Sequence, residues 1–186
     1  IDMIMINEEE MQEYFPKVFP KMFDGHYGGI AVGKGWFNIL FFLCQNIQSH
    51  IDWKNSQRQR EIAKFNAREQ GLDALIAFYS GNRAPSEWDK EQAQETMETG
   101  VTIPEEVPQV VVAQVKEKFG ELRFYVHGGD EYTDGVVSMA ERMSSRICED
   151  CGKPGKLYTG GWWLTQCQDC RSKHLEARDR VNGAGI

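Results

Sequence analysis

Apolar residues recur every three or four positions along most of the chain and alternate along one stretch, and these two periods divide it into helices and a hairpin. From Trp36 to Ile51, the residues Trp36, Leu40, Leu43, Ile47 and Ile51 keep helical spacing, and Phe37, Phe41 and Cys44 widen the stripe. So wide an apolar surface predicts a central core helix, with Cys44 a small buried hydrophobe. The helix is expected to continue to Tyr79, turning Ile62, Phe65, Leu72, Ile76 and Tyr79 inward, with Gly71 as a weak point. Ahead of it, Asn7 can cap a short helix opened by Glu8, Glu9 and Glu10. Tyr14, Phe15, Val18, Phe19, Met22 and Phe23 give that region its apolar face, interrupted by Pro16 and Pro20.

The alternating stretch is Val110–Lys118 and Leu122–His127, a hairpin joined around Phe119-Gly120-Glu121. Leu122, Phe124 and Val126 point to one face and Arg123, Tyr125 and His127 to the other, so one face is expected to be buried. Gly128 and Gly129 end it. Asp130 can cap a following helix whose inner stripe reads Tyr132, Val136, Met139, Met143 and Ile147 and which leads into Cys148. Another helix start lies at Ser86 with Asp89, and Pro104 and Pro108 close that region. Together these elements predict an α+β fold: a helix-rich domain over residues 1–147 with a small antiparallel sheet, followed by a module over 148–186.

That last module is defined by its cysteines. Cys148 and Cys151 form one C-x2-C pair, Cys167 and Cys170 another, with fifteen residues between the pairs. Two thiolates three residues apart in a tight turn can share one metal ion, and two such turns complete a tetrahedron. The pattern therefore points to one structural zinc with no open coordination position; two disulfides or two unrelated pairs are the alternatives. Gly152 follows the first pair, where a knuckle turns with positive φ, whereas the second pair opens a helix reaching about Val181. Lys156–Gln166 reads as a hairpin turning at Gly160-Gly161. Knuckle, hairpin and helix in that order resemble a treble-clef zinc finger, with a zinc ribbon as second choice. Trp162 and Trp163 would then lie on a strand and face opposite sides, one packing on the zinc core and the other packing against the larger domain, the favoured reading, or open to a partner or a base.

Charge narrows the functional classes. The chain of 186 residues carries a net charge of −7, which argues against a dedicated nucleic-acid binder. Lys54, Arg58, Arg60, Lys64 and Arg68 make one helix face basic and could meet phosphates, although a solvated face is the commoner explanation. The acidic stretch Glu87–Glu106 is expected to cover or neutralise it. Hydrophobic residues at 41% fit a globular protein, and no apolar run is long enough for a membrane span. There is no basic region followed by an apolar core of the kind a secretory signal needs, and Met3 or Met5 is a candidate natural start. The glycine-rich stretch Gly25–Gly35 lacks the Gly-Lys-Ser/Thr ending of a phosphate loop, since Lys34 precedes Gly35 and Trp36; it reads as a loop with a short strand near Ile30–Val32.

The best catalytic grouping is His127, Asp130, Glu131 and Asp134 beside Arg123 and Tyr125, a possible base, metal-holding carboxylates and an anion-stabilising cation. It competes with a plain strand end and helix cap. Zinc-finger nucleases of the HNH type need histidines on hairpin and helix; the hairpin here has none, and His174 stands alone on the tail. No catalytic residue is therefore assigned.

The stretch VVVAQVKEKFGELRFYVHGG, followed by DEYTDG and the C-x2-C-G knuckle, resembles a set of small uncharacterised proteins of bacteriophages and prophages. YGGIAVGKGWFNIL and LCQNIQSHIDW are similar to their N-terminal halves, while residues 55–106 look like a variable insert. The resemblance implies phage origin and a host-cytoplasm setting, and no mechanism. The leading expectation is a zinc-binding adaptor or inhibitor of a host or phage protein. A nucleic-acid binder using Arg58, Arg60, Lys64, Arg68, Trp162 and Trp163 comes second, and a metal-dependent hydrolase or nuclease at His127 third.

Overall fold

The computed structural model describes residues 7–183, so Met3 and Met5 lie outside the described residues. Helix α1 (Glu8–Val18) starts where Asn7 and Glu10 cap each other's backbone, a reciprocal capping box. It buries Met11 and Phe15 and leaves Val18 exposed, while Phe19 just beyond the helix is buried. A short strand β1 (Ile30–Ala31) and a single 3-10 turn lead into α2 (Phe37–Gln70). The predicted core stripe is buried: Trp36, Leu40, Leu43, Cys44, Ile47 and Ile51 are nearly inaccessible.

The described residues form two compact units, 7–49 with 108–183, and 50–107. The four-cysteine segment belongs to the first. In that unit β2 (Val111–Lys118) is the middle strand, parallel to β1 and antiparallel to β3 (Glu121–His127). Alternation holds on β3, where Leu122 and Phe124 are buried and Val126 half-buried; on β2 a register shift between Val112 and Gln114 puts the buried Val112 and Val115 three residues apart. Helix α5 (Glu131–Ser144) packs on β3, with Asp130 as its N-cap. Its inner face differs from the expected stripe. Thr133, Ala140 and Ser144 are buried, and Tyr132, Met139 and Met143 are exposed. The small residues win because the helix lies close to the strand. Ser144 Oγ accepts from the Leu122 N–H at 2.8 Å, where a methionine would hold the helix off, and the longer Glu141 reaches the Phe124 N–H at 2.9 Å from the edge of that face.

In the second unit, the chain breaks at Gly71 (φ 109°) and resumes as α3 (Leu72–Ser80), which packs against α4 (Glu87–Thr99). Here too the inward set shifts: Leu75 is fully buried, whereas Phe65 and Leu72 are exposed. The break at Gly71 resets the helical phase, so a stripe drawn straight through it misplaces the residues beyond. Asp89 is fully buried and accepts from both Arg83 guanidinium nitrogens at 2.5 and 2.6 Å and from the Ser86 hydroxyl at 2.6 Å. Those donors hold its carboxyl well below the usual range.

Two small strands, β4 (Lys156–Tyr158) and β5 (Leu164–Gln166), pair antiparallel before α6 (Gln168–Gly183). The result is a helix-rich α+β protein with two small sheets.

Candidate metal centre

The first knuckle is a turn stitched by backbone bonds. Gly152 N–H donates to the Cys148 carbonyl at 2.8 Å, and Cys148 N–H donates to Lys153 O at 2.8 Å. Gly152 has φ 75°, which an L side chain would adopt only at a cost of about 1–2 kcal/mol. The second pair straddles a helix start: Cys167 follows β5, and Cys170 lies in the first turn of α6, its N–H directed at Cys167 Sγ at 3.5 Å. The β4–β5 hairpin brings the two pairs together.

All four sulfurs lie within 4.8 Å of one another, and Cys151 Sγ and Cys167 Sγ are 3.6 Å apart. A zinc–sulfur length of about 2.3 Å sets tetrahedral edges near 3.8 Å, so the cluster matches a four-thiolate metal cage. All four are free cysteines that converge on one point, which two separate disulfides would not require. Burial raises the Cys148 and Cys170 thiols, whereas the Cys170 backbone N–H lowers Cys167 to about 7. Four thiolates so close together need a cation between them. The cluster could hold a metal ion such as zinc, which with all four positions filled by thiolates would cross-link the two knuckles rather than bind a substrate.

The platform under this centre is the glycine-rich loop. Gly35 N–H donates to Glu149 O at 2.7 Å, Gly33 N–H to the Glu149 carboxylate at 3.0 Å, and Trp36 Nε1 to Ile147 O at 2.8 Å. A Cβ on Gly35 would meet Cys148 O, Glu149 O and Gly152 N, all backbone atoms of the knuckle. The glycines are thus there for close approach, a role for which phosphate-loop spacing gives no sign; the signal available in the sequence was the pair of glycines immediately ahead of Trp36. Glu149 is pushed up to about 7 by burial, with Glu117, Asp150 and Glu8 adding repulsion against the favourable Gly33 N–H. From the other side, Thr165 donates to Gly120 O at 2.6 Å, joining the β2–β3 turn to the small hairpin.

That junction carries an apolar cleft of about 580 Å³ lined by Glu117, Lys118, Phe119, Gly161, Trp162 and Trp163. Trp162 and Trp163 lie in the loop between β4 and β5 rather than on a strand, since the strands stop at Tyr158 and restart at Leu164. Trp163 meets the Phe119 ring edge-on at 5.7 Å, and Trp162 is 77% exposed. Phe119 is missing from the sequence-derived site. Its signal was chemical: it occupies, with Gly120, the two central positions of a hairpin turn with positive φ at both, where Asn-Gly is the usual choice. It is the one non-glycine residue with positive φ among the described residues, and 58% of it is exposed.

The remaining candidates do not converge. His127 is exposed at the end of β3, Asp130 accepts from Thr133 N–H as a cap, Glu131 is exposed in the first turn of α5, and Arg123 pairs with Glu121 at 3.0 Å. Among the described residues, only the four cysteines form a group of histidines, cysteines and acids close enough to share a metal. The basic helix face is largely engaged within its own unit. Arg68 donates to the Thr96 and Met97 carbonyls at the end of α4, Lys64 pairs with Glu61 at 2.7 Å, and Arg60 lies over the Phe78 ring. Arg58 has its Nε buried without a hydrogen-bond partner. Contact with α4 is through backbone carbonyls; none of the ion pairs described joins the basic face to α4's acids.

No family model matches the chain, and no curated protein or solved structure matches it either. No described helix is long and apolar enough to cross a membrane.

Proposed function

We propose that this is a zinc-binding interaction protein whose C-terminal module is a treble clef and whose docking surface is the Phe119–Trp162–Trp163 cleft. One observation carries the reading: the exposed aromatic cleft is lined by the loop of the β4–β5 hairpin, whose two ends lead into the two pairs of the four-cysteine cluster. The cage leaves no coordination position for a substrate, so its metal braces the small hairpin that carries two of the three rings. The order of knuckle, hairpin and helix supports the treble clef. A Phe in a turn position that favours Asn suits a ring kept for contact rather than for folding. Exposed aromatics in a concave apolar site are the usual anchors of protein partners. The phage resemblance in the sequence suggests a partner of host or phage origin met in the host cytoplasm; the adaptor or inhibitor role rests on the small, acidic chain and its four-cysteine site.

The test replaces Phe119 by Asn and, separately, Trp162 by Ser. Asn is at home in the turn and Trp162 is exposed, so both variants are expected to fold and to keep one zinc per chain. A protein that co-purifies with the wild type and is lost from both variants supports the reading. Salt-dependent oligonucleotide binding lost from the same variants would reassign the cleft to bases. Identical partners for wild type and variants would remove the cleft from the proposal.

A further inference from the structure

Helix α5 turns toward solvent a face that its own chain does not use. Met139 is 57% and Met143 48% exposed, and with Gly135, Ser138, Arg142 and Arg146 they line a shallow groove of about 490 Å³. Gly135 lies mid-helix, where glycine costs about 1 kcal/mol relative to alanine. Nothing lies within 4 Å of where its Cβ would be, so no neighbour in the described chain requires the missing side chain. A surface approaching from outside would.

The charges on this face say what approaches. Glu131 stands at its N-terminal end, and Arg142 and Arg146 stand at its C-terminal end. None of the three makes an ion pair with any described residue. A uniformly acidic partner would be repelled by Glu131 and Asp134, and a basic one by the arginines. A second copy running antiparallel fits both ends. With the two-fold axis between Ser138 and Met139, Glu131 faces Arg146 of the other copy, and Gly135 faces Arg142. Ser138 and Met139 fill the middle, and Met143 lies beyond Arg142, opposite Asp134 of the other copy. An isologous pair satisfies each such contact twice.

We propose that α5 is the interface of a homodimer, formed by antiparallel packing of α5 on α5 of a second copy across Gly135, Ser138 and Met139. Two helix faces alone bury less than the roughly 1,200–2,000 Å² of a stable complex. The association is therefore expected to be weak and reversible.

Sedimentation equilibrium over a concentration series tests this, on full-length zinc-loaded protein. The wild type is expected to show a reversible monomer–dimer equilibrium. Glu131→Arg alone places arginines against arginines, and Arg146→Glu alone places acids against acids; each is expected to weaken self-association at least about tenfold. Mixed together, the two variants pair opposite charges at both ends and should associate with each other more tightly than either does with itself. Gly135→Leu should abolish the dimer at unchanged helix content and zinc content. A wild type that stays monomeric to millimolar concentration overturns the proposal. So does a dimer indifferent to these substitutions, or a mixture of the two charge variants that does not associate.

Discussion

At the scale of single residues, the glycines show how little a residue type says without its neighbours. Gly35 and Gly160 read alike in the sequence. The first touches three backbone atoms of the cysteine knuckle, and the second has nothing within 4 Å of a Cβ. Gly35→Ala is therefore expected to destabilise the unit by about 2–4 kcal/mol in urea unfolding, because backbone cannot move aside as a side chain can. Gly160→Ala should change it by less than about 0.5 kcal/mol. Asp89 gives a pH-dependent counterpart. Its folded carboxyl lies below its unfolded value near 3.9, so the unfolded chain binds the proton first as pH falls. The stabilisation is complete above that unfolded value and is lost as pH falls toward the folded one. Unfolding of residues 50–107, followed by circular dichroism between pH 5 and pH 2, should show this loss in the wild type. In Asp89→Asn the midpoint at pH 7 should already be lower and the acid slope shallower; an unchanged slope would remove the Arg83–Asp89–Ser86 cluster as its source.

At the scale of elements, the capping boxes were the most legible feature. Asn7 with Glu10 and Ser86 with Asp89 start their helices where the sequence places them, as Asp130 starts α5. A cap depends on residues three apart, so sequence order alone determines it. Helix faces were read less well. The outer methionines of α5 and the phase beyond Gly71 were misassigned because period alone marks an apolar stripe without saying which neighbour it meets. The metal module is the clearest element-scale test. Burial raises the Cys148 and Cys170 thiols above their ordinary value. Each should release its proton when zinc binds, a release readable in weakly buffered titration, and zinc affinity should fall as pH falls. Cys151→Ser should lower zinc content and lose the protection of β4, β5 and the start of α6 in hydrogen exchange. Full retention of both would refute the cage.

At the scale of the whole molecule, two compact units predict two responses. Chelation should deprotect amides in the unit of residues 7–49 and 108–183, where the cage, the glycine loop and the β2–β3 turn bond to one another, and leave α3 and α4 unchanged. Equal loss in both units would mean that they unfold as one.

The sequence by itself determined what depends on local spacing: the helix caps, the alternating hairpin, the core stripe of α2, and the four cysteines as a metal set. These follow from the 3.6 and 2.0 residue periods and from the reach of a thiolate in a tight turn. The tertiary structure decided what depends on chain segments far apart. It put the Gly33–Gly35 loop under a knuckle 116 residues away. It carried Phe119 to Trp163, assigned Arg68 to the carbonyls of α4, and left Met139 and Met143 outside. None of these has a local signature, because each is set by which surfaces meet once the chain has closed.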